Sequence, residues 1–279
     1  SYYFSTNILF IINVLFISFL KLFISLDTHQ VMFWMNNALI VSVFKGAIAL
    51  YCTFLYAHYL SKNKILSVFI AFLFVISPLY FRFTAYWPFF SDVFIWLPLL
   101  LLAIERAIQK QKSGLLIVTI TLVLINNFYF AYYFLIIASV YSLIRIIFKH
   151  PNDNLTRFRT LCTLLIPALL ALGNSLFIFF HGVQSFLNNR RVSFSGNVPA
   201  FEHLNINTNI FFDNYLIVIL FLTIQSILSF KLYKHYYYRL FVLLTLALII
   251  FTFIPLIDQI FNGFSAPQKR WHFILAFSS

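Results

Sequence analysis

Eight apolar runs of near-membrane-span length follow one another along this chain and leave little else to fold. They are Asn37–His58, Ile65–Tyr80, Val93–Ile108, Leu115–Phe130, Tyr132–Phe148, Thr160–Phe180, Tyr215–Phe230 and Leu240–Leu256, and a ninth opens near Phe273. A helix of about 20 apolar residues crosses the hydrocarbon core of a bilayer, and shorter runs cross with help from flanking anchors. Of the 279 residues, 62% are hydrophobic and 9% charged, with a mean hydropathy of +0.92. A soluble domain carries roughly a quarter charged residues, so this chain lacks the polar surface that a water-soluble fold needs. That excludes a cytosolic globular enzyme, a disordered chain and a nucleic-acid-binding domain. The expected fold class is all-α, a polytopic transmembrane helix bundle of about 8–9 spans plus an interfacial helix. The interfacial candidate is Ile8–Ser25, which holds Asn13 and Lys21 and reads equally as a span.

Charge orders the loops between the runs. One set is basic: Lys62 and Lys64; Arg106, Lys110 and Lys112; Arg145, Lys149, Arg157 and Arg159; Lys231, Lys234 and Arg239. The alternate set holds Asp27, Asp92, Glu202, Asp213 and Asp258. Cytoplasmic loops of membrane proteins are enriched in Lys and Arg, so the first set is expected inside and the second outside. The net charge of +12 then reflects topology and contact with anionic lipids rather than nucleic acid. Residues 1–279 read as a single transmembrane helical domain, with 181–214 as its longest external loop. The first residue is Ser1, and the run from Phe273 to Ser279 stops short of a span. The chain is expected to be an internal piece of a longer one, truncated at both ends.

The external segments carry the polar chemistry. Asp92 directly precedes a span, where it could serve as base or metal ligand, or cap the helix beginning at Val93. Asn126, Asn127, Tyr132 and their aromatic neighbours read either as a hydrogen-bonding rim for a ligand or as an interfacial aromatic belt with capping asparagines. Gln268-Lys269-Arg270-Trp271 reads either as a phosphate site or as an interfacial anchor with snorkelling cations. With Arg82, Arg190 and Arg191, these cations could hold an anionic lipid headgroup. Glu202 and His203 are weaker polar candidates. Lys45 lies deep in a span and requires a partner or a wet cavity. Glu105-Arg106, at an expected cytoplasmic helix end, reads as a local pair or a headgroup contact. The seven histidines show no ligand spacing, so no metal is expected, and no glycine loop for nucleotide phosphates is present. Cys52 and Cys162 lie in apolar runs and indicate no redox compartment.

Five stretches in order resemble the YfhO-like family of bacterial membrane proteins, of the GT-C type of glycosyltransferase. They are Ser1–Thr6, Lys45–Tyr51, Asp92–Glu105, Asn127–Tyr133 and Phe261–Trp271. The resemblance covers nearly the whole chain. It implies a multi-spanning bacterial cell-membrane enzyme whose functional face is external. Such an enzyme takes a sugar from a polyprenyl-phosphate carrier and places it on an envelope acceptor such as lipoteichoic acid. It implies no cofactor beyond that donor substrate, and it leaves a divalent metal open. Membrane lipids, the polyprenyl-phosphate sugar and the envelope polymer are the expected partners, with no nucleic acid. Family members carry their catalytic acid in the first external loop, which the resemblance places before this chain; Asp92 is the best acid within it. Arg270, with Gln268 and Lys269, is the expected phosphate contact, aided by Arg82, Arg190 and Arg191. Asn126, Asn127, Tyr132, Glu202 and His203 are expected at the sugar or acceptor. A transporter or lipid flippase is the alternative.

Overall fold

The computed structural model describes residues 6–87, 89–188, 196–201, 212–213, 216–217, 221–264 and 266–279. The fold is all-helical. Among the described residues, β structure is confined to one antiparallel pairing, β1 (Phe212–Asp213) with β2 (Leu216–Ile217). The chain forms two compact units, Ser1–Ala71 with Phe83–Asn189, and Phe72–Arg82 with Arg190–Ser279.

The first unit holds α1 (Ile8–Leu20), α2 (Val31–Ser61), α5 (Val93–Lys110), α6 (Gly114–Asn126), α7 (Phe128–Ile147) and α8 (Arg157–Leu187). Between α2 and α5 run α3 (Lys64–Val75) and α4 (Pro78–Tyr86), bent by 43° at a break before Pro78. Proline lacks an N–H and restricts the residue before it, so the chain breaks there.

Helix α5 is the axis of this unit. It packs against α2, α6, α7 and α8, and nearly every side chain from Val93 to Ile108 is buried. The pattern inverts the rule for water. The helices α2 and α8 hold more apolar windows, yet only 28% and 22% of those windows are buried. On α2 the exposed set includes Met32, Met35, Leu39, Val43 and Phe44. Lipid tails are as apolar as leucine, so an apolar face gains nothing by turning inward. Polar groups do gain by turning inward, and α5 carries Asp92 at its start and Glu105 in its body.

Helices α2, α7 and α8 are each long and apolar enough to cross a bilayer alone, and each of two bent helix pairs qualifies as a further span. Several runs end elsewhere than expected. Helix α8 continues to Leu187, so the start of the expected 181–214 loop is helical. The expected span Tyr215–Phe230 contains only the short α9 (Phe221–Leu228) and the β2 strand among its described residues.

The second unit holds α9, α10 (Tyr236–Phe251), α11 (Pro255–Phe261) and α12 (His272–Ser278). A bend of 106° separates α10 from α11, again before a proline. The Thr245 hydroxyl donates to the Ser278 carbonyl at 2.8 Å and ties α10 to α12. After α11 the chain turns through Gly263 and Phe264, both at positive φ, and Asn262 Nδ2 closes the turn on the Ala266 carbonyl at 2.7 Å.

Candidate functional site

Lys45 finds its partner in Asp92. The Nζ–Oδ1 distance is 2.6 Å, and both side chains are buried. Lys45 lies near the middle of α2, about 24 Å from the Ser61 end by the helix rise. The pair therefore sits mid-way along an apolar helix long enough to cross a bilayer, a place where an unpaired charge would be costly.

Amides complete the carboxylate's shell. Asn7 Nδ2 donates to Asp92 Oδ2 at 2.6 Å, and Asn126 Nδ2 donates to the same oxygen at 3.2 Å. Each asparagine uses its own oxygen locally. Asn7 Oδ1 accepts from the Phe10 backbone N–H at 2.8 Å as the N-cap of α1, and Asn126 Oδ1 accepts from the Ile8 N–H at 3.0 Å. The start of α1 is thereby locked to α5 and α6. Asp92 occupies the N-cap position of α5 but makes no capping bond. The expected capping role is thus replaced by long-range pairing, because a buried lysine and two buried amides compete more strongly than one backbone N–H.

Asn127 does cap. Its Oδ1 accepts from the N–H groups of Tyr129, at 3.0 Å, and Phe130, at 3.4 Å, at the start of α7. Two consecutive asparagines thus divide the work: one serves the carboxylate, the other the helix. The aromatic run after them is not a surface belt. Phe130, Tyr133 and Phe134 are buried, and Phe90 meets Phe130 edge-on at 5.0 Å. Tyr132 is half-buried against Tyr133, with ring centroids 6.3 Å apart.

A small cleft opens beside the cluster. Asp92, Trp96, Asn126 and Asn127 contribute its polar groups, and Phe89, Val93, Val123, Phe130 and Phe134 its apolar wall. Tyr132 is not among its lining residues. Trp96 follows Asp92 by four positions on one helical turn, a spacing that puts both on one face. That spacing was readable in the sequence. Asn7 carried no such signal, since its contact spans 85 residues.

A second polar cluster lies about 20 Å further along α5. Glu105 does not pair locally with Arg106. Its Oε1 accepts from Arg145 Nε at 2.6 Å, and its Oε2 accepts from an Arg145 terminal nitrogen at 3.1 Å. The same guanidinium donates to Asp153 Oδ2 at 3.0 Å and Oδ1 at 3.3 Å. Arg145 is 0% exposed, so this member of the expected basic loop set is a core residue. The Tyr141 hydroxyl donates to Glu105 Oε1 at 2.7 Å and meets the Tyr56 hydroxyl at 3.2 Å.

The second unit receives the expected phosphate set. Arg82, Gln268, Lys269 and Arg270 are half-buried there. Trp271 is no interfacial anchor: it is fully buried, its indole donates to Asp258 Oδ1 at 2.6 Å, and it stacks on Phe261 at 5.3 Å. Arg190, Arg191, Glu202 and His203 lie outside the described residues.

Helix order, the buried Lys45–Asp92 pair and the asparagine break before α7 all fall within stretches shared with one family. The family described as bacterial membrane protein YfhO matches residues 1–279. This chain belongs to the YfhO family. A relative from Bacillus subtilis (strain 168), named "Uncharacterized protein YfhO", is 37% identical over 279 residues, covering 99% of this chain. The chain spans 32% of that relative's length. No solved structure matches it. Membership of YfhO, together with the apolar helices, places the chain in a membrane.

Proposed function

We propose that this YfhO chain is part of a glycosyltransferase that moves a sugar from a polyprenyl-phosphate donor to an envelope acceptor, such as lipoteichoic acid, on the outer membrane face. The observation that carries the reading is the Asp92 cluster: a buried carboxylate, two amides and an indole around a cleft walled by aromatic rings. Amides and aromatic faces are the groups that recognise sugars, whose hydroxyls need hydrogen bonds and whose C–H faces need apolar contact. The helices that expose their apolar sides to lipid would accommodate a polyprenyl chain.

Roles divide within the reading. Asp92 acts as an organiser rather than as the base. Lys45 holds one of its oxygens and two amides hold the other, so both are already engaged within the cluster. The transfer needs a base at the acceptor hydroxyl, supplied by an acid elsewhere in the full-length protein. Arg270, aided by Lys269 and Gln268, would stabilise charge on the departing phosphate.

A transporter or flippase is the second reading, favoured by one observation: an ion pair buried at span depth. Envelope chemistry separates the two. Polymers purified from cells with and without the full-length gene are compared by mass spectrometry and NMR, with complementation by wild type, Asp92→Asn and Arg270→Ala. Loss of one hexose or N-acetylhexosamine on deletion, restored by the wild type alone, is the expected result. Unchanged glycosylation overturns the transferase reading and moves attention to flipping assays.

A further inference from the structure

Two donors in the cleft are buried with no hydrogen-bond partner among the described residues: Trp96 Nε1 and Asn127 Nδ2. Both residues line the cleft, and they are 7% and 3% exposed. Buried N–H groups are almost always satisfied, so two orphans on residues that line one small space call for an acceptor there. Neither can find it by turning around. Indole nitrogen only donates. The Asn127 amide is oriented by its capping role, with Oδ1 held by two backbone N–H groups, so Nδ2 must face away from the helix.

Charge and size define what fits. Asp92 lies on the cleft wall, but its negative charge is compensated by Lys45 at 2.6 Å. Its oxygens are already engaged by Lys45, Asn7 and Asn126. The cleft therefore offers donors without a net positive charge, and a phosphate would meet an adjacent carboxylate. A neutral acceptor oxygen meets no such penalty. The cavity volume is about 10 Å³, which admits one water-sized group.

We propose that this cleft recognises a single uncharged oxygen of a sugar, a ring hydroxyl or an N-acetyl carbonyl, through the Trp96 indole N–H and the Asn127 amide N–H. The inference rests on the glycosyltransferase reading for the word sugar, and it makes Trp96 and Asn127 specificity-determining residues. A site that hydrogen-bonds a substrate oxygen rejects the analogue lacking it far more strongly than an apolar pocket rejects a missing methylene. The cleft would therefore choose among sugars by one position on the ring.

The test uses full-length protein in lipid nanodiscs and a panel of methyl glycosides: glucoside, galactoside and N-acetylglucosaminide, with the monodeoxy versions of whichever binds. Saturation-transfer NMR reads binding. Trp96→Phe keeps the ring and removes the N–H. Asn127→Asp keeps the capping oxygen and replaces the donor. The expected result is that one glycoside binds, one deoxy analogue fails, and both variants weaken binding roughly tenfold or more; Trp96→Phe, which adds no charge, does so with unchanged melting temperature. Equal binding by the wild type and both folded variants overturns the proposal and leaves the cleft a water site. The same holds if no glycoside binds. Failure of the transferase reading looks different: envelope sugars stay unchanged on deletion, while glycoside binding and its dependence on Trp96 persist.

Discussion

The two polar clusters on α5 are built from similar groups but finished differently. At the Arg145 cluster one guanidinium serves both Glu105 and Asp153, Tyr141 and Gln109 add donors to Glu105, and the His150 backbone N–H adds one to Asp153. Among the described residues, every charged atom there has a use inside the protein. At the Asp92 cluster the charges are equally well matched, yet two neighbouring donors are left over beside a cleft. A closed network fixes helices. An unfinished one is a place where something else completes the bonding. Burial alone does not separate the two; the accounting of donors and acceptors does.

The comparison can be broken at several points. The largest effect is expected from Arg145→Ala. It strands two buried carboxylates, and removing one partner of a buried ion pair costs about 3–5 kcal/mol. Abundance and melting temperature of the full-length protein in detergent should both collapse. Next comes Asp92→Leu, which removes the carboxylate paired with Lys45 at comparable cost. The double change Lys45→Met with Asp92→Leu should recover most of that stability, since an apolar replacement of a buried pair is often neutral or better. Sugar transfer should stay lost in that double variant. Recovery of transfer along with stability would make the Asp92 cluster merely structural and erase the contrast. Tyr141→Phe removes one hydrogen bond to Glu105 and should cost about 1–2 kcal/mol with transfer untouched. Smallest is Tyr59→Phe, where an exposed hydroxyl donates to Gln109 at 3.1 Å; the melting temperature should stay within error, as surface changes fall within about 0.5 kcal/mol.

Much of the bundle was legible in the sequence. The apolar runs locate α2, α5, α7, α8 and α10, with ends displaced by up to seven residues, because hydropathy and helix length answer to the same bilayer. Of the four prolines within or near the spans, Pro78 and Pro255 follow bends, whereas Pro98 and Pro167 lie inside continuous helices. Packing order was not legible. In water the most apolar helix would be central. Here the central helix is the one that carries Asp92 and Glu105, and its apolar neighbours face outward. For the site, Lys45 announced that it needed a partner, and Asn127 announced a cap. The partner itself was hidden. The pairings of Lys45 with Asp92, Asn7 with Asp92 and Arg145 with Glu105 join residues far apart in sequence, and no local period encodes them. Trp96 was readable only as one apolar residue in an apolar helix, until its nitrogen was found buried without an acceptor.

The Lys45–Asp92 pair also sets a timetable for biosynthesis. Lys45 leaves the ribosome in the middle of α2, about 50 residues before Asp92 follows at the head of α5. At 5–20 residues per second, roughly 3–10 seconds pass in which α2 carries an unmatched ammonium. A lysine at the centre of a helix opposes insertion by roughly 2.5–3.5 kcal/mol on translocon scales. The remaining apolar residues of α2 must offset that on their own. Until α5 arrives, α2 has reason to linger at the lateral gate of the insertion machinery rather than diffuse into lipid.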